Sequence, residues 1–249
     1  MNKYELTEET KTLANGTVLH RIRALRDFSL ADGHLVCAGD FGGWLETENN
    51  LSQNGTAWVF QNAMVYENAW VCENAVVDGN AQVYGNAKVC INAWIRENAK
   101  VYGNARVYGD ALVGNTAEVY ENSHVCEYAK IFGDARIYGN AFVFGNARVC
   151  GYAEVCGNAN VCGNADICGN AKINGSHDYA VFKNTWSRGR FFTYTRSNKM
   201  WNVGCFHGTG EELIAKAYND SKLSGQCYEA IVRAQEAIDT FVNEDNATT

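Results

Sequence analysis

The sequence predicts a mainly β protein built around a parallel β-helix. Three observations support this prediction: aliphatic residues recur every six positions, alanine recurs four positions after each of them, and a Gly-Asn or Glu-Asn pair lies between the two. Six is neither a helical period nor a simple strand period. Three short strands joined by tight turns make a triangular coil of three hexads, and stacked coils of this kind repeat at the strand spacing of about 4.8 Å.

The repeat defines hexad positions and runs without insertion from Val59 to Ile173. Its twenty aliphatic residues are Val59, Val65, Val71, Val77, Val83, Val89, Ile95, Val101, Val107, Val113, Val119, Val125, Ile131, Ile137, Val143, Val149, Val155, Val161, Ile167 and Ile173. These side chains, at position 1, should point inward together with the alanines of position 5, among which Ser123 is the one exception. Positions 3 and 4 should form corners, where Gly and Asn tolerate positive φ. Positions 2 and 6 should face outward.

Hexads such as "VYGNAR" resemble those of the left-handed parallel β-helix of hexapeptide-repeat proteins, and the resemblance covers residues 57–177. We therefore expect an N-terminal β cap over residues 1–56, a left-handed β-helix of about 20 hexads over 57–177, and a small α+β domain over 178–249. An unpaired β-helix end would expose strand edges, which explains the cap.

The C-terminal region should contain three strands and two helices. "DYAVFKN", "RFFTYTRS" and "MWNVGCF" have the composition of strands. Thr209 and Glu212 have the spacing of a capping box for the first helix. Ser224 should cap the second helix, whose apolar stripe runs from Tyr228 to Ile238 and Phe241.

Further motifs at both ends widen the resemblance to nearly the whole chain. "RIRALRDF…AGDFGGWLETENNLSQ" and "GCFHGTGEEL" resemble a group of bacterial and bacteriophage hexapeptide-repeat proteins that has no settled activity. The resemblance implies a phage or prophage setting and a cytosolic location. Fold alone does not determine function within such a group.

Composition limits the function further. The formal charge of -7 argues against general nucleic-acid binding, which needs net positive charge. The N-terminus lacks a secretory pattern and no apolar run is long enough to cross a bilayer, so we expect a soluble cytoplasmic protein with reduced thiols among its 10 cysteines. Cys150 and Cys168, one coil apart, are close enough for a disulfide. We expect no metal site, because successive cysteines fall on different faces.

Two outward rows are candidate interfaces. The first is apolar and comprises Trp58, Val76, Trp94 and Leu112. An apolar patch of this size should be covered either by the flanking segment or by a sister subunit in a dimer or trimer. The second is a ladder of Tyr66, Tyr84, Tyr102, Tyr120 and Tyr138, which either stabilises neighbouring coils or forms a binding surface.

A basic window near the C-terminus suggests an anion site. Its candidate ligand-binding residues are Arg188, Arg190, Arg196, Lys199 and Thr209. Helix N-termini and guanidinium groups attract phosphates, so the window could hold a nucleotide-like molecule. The alternative is an ordinary basic hairpin that pairs with acidic neighbours such as Glu211.

Two classes of function follow. The favoured one is a non-catalytic binding protein without cofactor, of phage or prophage origin, that binds a host protein or sequesters an anionic small molecule such as a signalling nucleotide. The alternative is a hexapeptide-type acyltransferase that uses acyl-CoA, with His124 or His207 as general base. No acid stands at a convincing spacing from His124, although Glu118, Glu121 and Glu127 are close in sequence.

Overall fold

The computed structural model describes residues 2–186 and 189–248, with side chains described as far as residue 242. The chain divides into two compact units, Met1–His177 and Asp178–Thr249. The first unit contains the repeat and everything before it. The second contains a sheet and two helices.

The N-terminal segment continues into the solenoid through a shared sheet. Its strands are β1 (Tyr4–Thr12), β2 (Val18–Ala24), β3 (Phe28–Ser29), β4 (Leu35–Val36) and β5 (Phe41–Leu45). Strands β1, β2 and β5 are antiparallel neighbours, and β5 then pairs in parallel with the strand Met64–Val65 of the repeat. A bridge between Leu51 and Val71 continues a second side of the solenoid. The first coil therefore finds backbone partners in the segment that precedes it.

The repeat folds into a parallel β-solenoid of about seven turns. Within residues 58–173 the chain forms twenty short strands: β6 (Trp58–Val59), β7 (Met64–Val65), β8 (Trp70–Val71), β9 (Val76–Val77), β10 (Gln82–Val83), β11 (Lys88–Val89), β12 (Trp94–Ile95), β13 (Lys100–Val101), β14 (Arg106–Val107), β15 (Leu112–Val113), β16 (Glu118–Val119), β17 (His124–Val125), β18 (Lys130–Ile131), β19 (Arg136–Ile137), β20 (Phe142–Val143), β21 (Arg148–Val149), β22 (Glu154–Val155), β23 (Asn160–Val161), β24 (Asp166–Ile167) and β25 (Lys172–Ile173). Each strand pairs with the strand on the same side of the adjacent coil, as Val83 does with Val101.

Three sheets form the sides of the solenoid, and we name each by its outward residues. The tyrosine face contains β7, β10, β13, β16, β19, β22 and β25; the cysteine face contains β8, β11, β14, β17, β20 and β23; the tryptophan face contains β6, β9, β12, β15, β18, β21 and β24. The side chains of positions 1 and 5 form the interior, and all of them are almost completely buried. Ser123 fits among the alanines because its hydroxyl donates to the carbonyls of Tyr120 and Ile137 at 2.7 and 3.2 Å.

The backbone at the corners differs in one respect from the sequence-based prediction. Positive φ occurs at position 3, where Gly or Glu usually stands, and among the described hexads no position 4 asparagine adopts it. The asparagines instead bond to one another along the corners: Asn104 donates its amide to Asn122 at 3.0 Å and accepts from Asn86 at 3.1 Å. Left-handed backbone is unfavourable for residues other than glycine. The glutamates of position 3 offset this cost by capping the next coil, as Glu121 accepts from the Gly139 N–H at 2.8 Å.

The second unit contains one more strand than the sequence predicted. Its described residues form an antiparallel sheet of β26 (Tyr179–Lys183), β27 (Phe191–Thr195), β28 (Met200–Val203) and β29 (Phe206–Gly208). The fourth strand was missed because "MWNVGCF" contains a tight turn at Gly204, whose φ is 61°. The stretch is therefore a hairpin of two strands rather than one strand.

Two helices, α1 (Gly210–Asp220) and α2 (Lys222–Thr248), follow the sheet. The capping box of Thr209 and Glu212 is confirmed. The expected cap of the second helix is wrong by three positions, because Ser221 Oγ accepts from the Ser224 N–H at 3.1 Å. In the described part of the chain, neither helix combines the length and the apolar character needed to cross a bilayer.

Candidate functional sites

One cleft of the second unit contains two of the five predicted anion-binding residues. Its volume is about 510 Å³, and its lining includes Arg196 and Lys199 together with Trp201. The carboxylates of Glu236 and Asp239 also line it, so the cleft contains as many anionic as cationic side chains. Such a cleft is polar but does not concentrate positive charge.

Asp239 is the centre of the polar network in this cleft. Its carboxylate accepts from the Tyr194 hydroxyl at 2.5 Å, from Arg196 Nε at 3.1 Å and from Gln235 Nε2 at 2.9 Å. Burial, and then the hydrogen bond to Asp239, raises the pKa of Tyr194, so the phenol remains neutral and donates. The largely buried carboxylate of Asp239 therefore already balances the charge of Arg196.

Sequence reasoning missed Asp239 although a signal was present. Gln235 and Asp239 continue the helical spacing of the buried residues Tyr228 and Val232, and therefore place polar groups on the inner side of α2. The predicted apolar stripe extended instead to Ile238 and Phe241. Ile238 is 45% exposed and Phe241 67%, so that part of the stripe faces outward.

Thr209 lies at the start of α1, where the predicted anion site would be. Its hydroxyl accepts from the Glu212 N–H, and the Glu212 carboxylate accepts from the Thr209 N–H at 2.8 Å. The capping box thus supplies partners for the N–H groups of Thr209 and Glu212 from within the chain. These hydrogen bonds hold the pKa of Glu212 below its usual value.

Arg190 lines a different, smaller cavity. This cavity of about 240 Å³ also contains Lys216, Phe206, Tyr228 and Asp220. The predicted basic window is therefore divided between two cavities. Arg188 lies outside the described residues.

Neither candidate histidine is paired with a carboxylate among the described residues. The rings of Tyr108 and Phe142 meet His124 edge to face at centroid distances of 6.2 and 5.6 Å. Burial, and then the nearby Arg106, lowers the pKa of His124. Across the described chain no carboxylate is hydrogen-bonded to this ring. The other candidate, His207, is exposed, and its Nδ1 lies 2.6 Å from Asn202 Oδ1.

The acids nearest to His124 in sequence serve the solenoid. Glu118 forms an ion pair with Lys100 at 3.4 Å. Glu121 and Glu127 each accept a backbone N–H of the following coil, from Gly139 and Gly145 respectively. These carboxylates are therefore committed to holding adjacent coils together.

The apolar row of the tryptophan face is covered in part by the same chain. Trp58 is fully buried and meets Phe28 edge to face at 5.4 Å and Tyr4 at 6.2 Å. It is consequently not available to a second subunit, because the N-terminal segment already packs on it. Val76, Trp94 and Leu112 remain half-exposed in the first unit.

The tyrosines form a continuous stack along their face. Successive ring centroids from Tyr66 to Tyr138 lie 4.9 to 5.1 Å apart, with interplanar angles of 7° or less. The inner rings Tyr84, Tyr102 and Tyr120 therefore contact a neighbouring ring on both faces and present their edges outward. Burial raises the pKa of Tyr66 to about 12, with Tyr84 and Glu67 contributing. This geometry stabilises neighbouring coils, and the inner rings have no open face for stacking.

One group of side chains on the tryptophan face has metal-ligand types. The ligand atoms of Cys150, Asp166 and Cys168 lie within 4.8 Å of one another. Cys150 and Cys168 are joined by a disulfide, and Asp166 forms an ion pair with Arg148 at 3.5 Å. Disulfide sulfurs are not thiolate ligands, so this group does not fit a metal in its oxidised form.

Comparison with known proteins defines the class of repeat. Residues 99–115 and 135–151 match the family model of the YdcK beta solenoid repeat. The match and the stacked coils together identify a repeat β-helix protein. No curated protein matches the chain.

Proposed function

We propose that the chain is a non-catalytic binding protein that acts on a host process by binding a host protein. The observation that carries this proposal is that the acids near His124 and two predicted anion-binding residues already have bonding partners within the chain. Near His124 the acids bond to neighbouring coils of the solenoid. In the second unit Glu212 accepts from the Thr209 N–H, and Asp239 pairs with Arg196. Half-exposed and exposed aromatic side chains on the outer faces supply contact area.

The finer features of the proposal rest on the resemblance of the sequence. They are a left-handed coil of twenty hexads, a phage or prophage origin with its N-terminal and "GCFHGT" motifs, a cytoplasmic location, and assembly into a dimer or trimer. Val76, Trp94 and Leu112 are the residues we assign to that assembly, since their row is half-exposed.

Affinity capture tests the proposal. The tagged full chain is incubated with bacterial lysate, and the captured proteins are quantified with and without an excess of untagged chain. We expect one protein at near-stoichiometric yield that the untagged chain displaces. No displaceable protein, together with acetyl-CoA turnover that His124→Ala abolishes, would favour acyl transfer.

Sequestration of a nucleotide-like anion is a second candidate, favoured by the position of Arg196, Lys199 and Trp201 in one cleft. A bound nucleotide raises the melting temperature of its protein by mass action. We expect no shift with a nucleotide panel, because the cleft has no excess positive charge. A shift that Lys199→Glu removes and Lys183→Glu retains would support sequestration instead.

A further inference from the structure

The outward side chains of the cysteine face form a row that is basic in its centre and aromatic towards its ends. In strand order, position 6 is occupied by Trp70, Lys88, Arg106, His124, Phe142 and Asn160. Lys88 and Arg106 are direct cross-strand neighbours, and both are exposed. Trp70 is 41% exposed at one end of the basic pair.

The tyrosine face arranges its charges differently. Its corresponding row alternates in sign from Lys100 through Glu118, Arg136 and Glu154 to Lys172. Lys100 pairs with Glu118 at 3.4 Å, and Lys172 pairs with Glu154 at 3.2 Å. Alternation stabilises a parallel stack, whereas like charges directly opposite destabilise it.

The cations of the cysteine face lack such compensation. Within residues 2–186 and 189–242, neither Lys88 nor Arg106 forms an ion pair. Glu73 and Glu127 lie at the corner of this face, and Glu127 is occupied by the Gly145 N–H at 2.9 Å. An anionic partner would therefore relieve repulsion between two neighbouring cations.

An apolar corner accompanies the basic pair. Ile91 follows Cys90 and is 40% exposed with φ of 66°. This conformation is unfavourable for a β-branched residue. Tyr128, at the same corner two coils further on, is 59% exposed. The face thus offers both charge and apolar contact.

We propose that the cysteine face binds an acidic segment of a protein partner through Trp70, Lys88, Arg106 and Ile91. This segment carries aromatic or aliphatic side chains between its carboxylates. Charge complementarity selects this occupant, since the carboxylates face Lys88 and Arg106. The apolar side chains contact Trp70 and Ile91. The proposal rests on the proposed function and names the surface through which it acts.

Fluorescence anisotropy with a defined probe tests this surface. The probe is a short fluorescein-labelled peptide in which Glu and Asp alternate with Phe and Leu. The full chain is compared with Lys88→Glu/Arg106→Glu and with the control Lys130→Glu/Arg148→Glu. The control reverses the same number of charges at two exposed neighbouring cations of the tryptophan face, where Arg148 pairs with Asp166. Circular dichroism and melting curves establish that both variants fold.

We expect Lys88→Glu/Arg106→Glu to weaken peptide binding at least about tenfold and the control variant to remain within about twofold of the wild type. Trp70→Ala should also weaken binding, whereas it would not affect a purely electrostatic contact. Equal affinity in the two charge-reversal variants would overturn the proposal. Tighter binding of a single-stranded oligonucleotide of equal length than of the peptide would overturn it in favour of nucleic acid.

The lysate experiment separates this proposal from the broader one. If Lys88→Glu/Arg106→Glu still captures the displaceable protein at wild-type yield, the cysteine face is the wrong surface and the binding function stands. If the wild type captures none, the binding function itself is wrong.

Discussion

Replacement of Lys3 by methionine should stabilise the first unit near neutral pH. Lys3 is fully buried, and its Nζ donates to the Ala57 carbonyl at 2.7 Å. Burial, and then the charge of Arg26, lowers the pKa of Lys3 from 10.5 to about 8. At about 1.4 kcal/mol for each pH unit, the buried charge costs roughly 3 kcal/mol. Loss of the hydrogen bond to Ala57 offsets about 1 kcal/mol. Lys3→Met should therefore gain about 2 kcal/mol near neutral pH.

The pH dependence gives the sharper test. Below pH 8 Lys3 is protonated in both folded and unfolded chains, so the cost of its charge is fully present. Between pH 8 and 10.5 the folded protein releases the proton first, and its free energy of unfolding rises relative to that of the variant. Urea unfolding at pH 7, 8, 9 and 10 should show the advantage of Lys3→Met shrinking, whereas Lys11→Met, at an exposed site, should show no such trend. If the difference in free energy of unfolding between Lys3→Met and the wild type stays constant from pH 7 to 10, the pKa of Lys3 is not lowered by folding.

Three further predictions concern the solenoid itself. Ile91→Gly should raise the free energy of unfolding by about 1 kcal/mol in urea titrations because it relieves the positive φ, and a loss of stability would contradict the assigned strain. Without reductant, Cys150→Ser should lower the free energy of unfolding by about 3 kcal/mol, whereas in dithiothreitol the variant should match the wild type. Equal stability without reductant would mean that no disulfide forms. Asn104→Ala removes two side-chain hydrogen bonds and should lower the free energy of unfolding by about 1 kcal/mol. Asn158→Ala loses only the hydrogen bond from Asn140 and should lower it by less. Equal losses would argue against the amide ladder.

The interior of the solenoid could be predicted from the sequence because its constraints are local. A buried midpoint admits only an aliphatic residue such as Val101, and the crowded position near a corner admits only Ala or Ser, so the period is visible in the letters. The role of the asparagines could not be predicted, since an amide ladder joins residues of different coils. For the same reason, the sequence of a single hexad does not show that Glu121 caps the Gly139 N–H of the next coil.

The candidate site of the second unit was only partly predictable. The basic residues Arg196 and Lys199 lie near each other in sequence, and the structure places both in one cleft. The ion pair of Arg196 with Asp239 joins residues separated by 43 positions, which no local sequence pattern indicates. The packing of Tyr4 and Phe28 on Trp58 likewise joins residues far apart in sequence.

Competitive displacement tests the central claim, binding through the solenoid surface, most directly. The captured lysate protein is challenged with equal excesses of untagged wild type and untagged Lys88→Glu/Arg106→Glu, and the fraction released is measured. We expect release by the wild type and little release by the variant. Equal release by both would contradict the assignment of the cysteine face, and the absence of any captured protein would contradict the binding function.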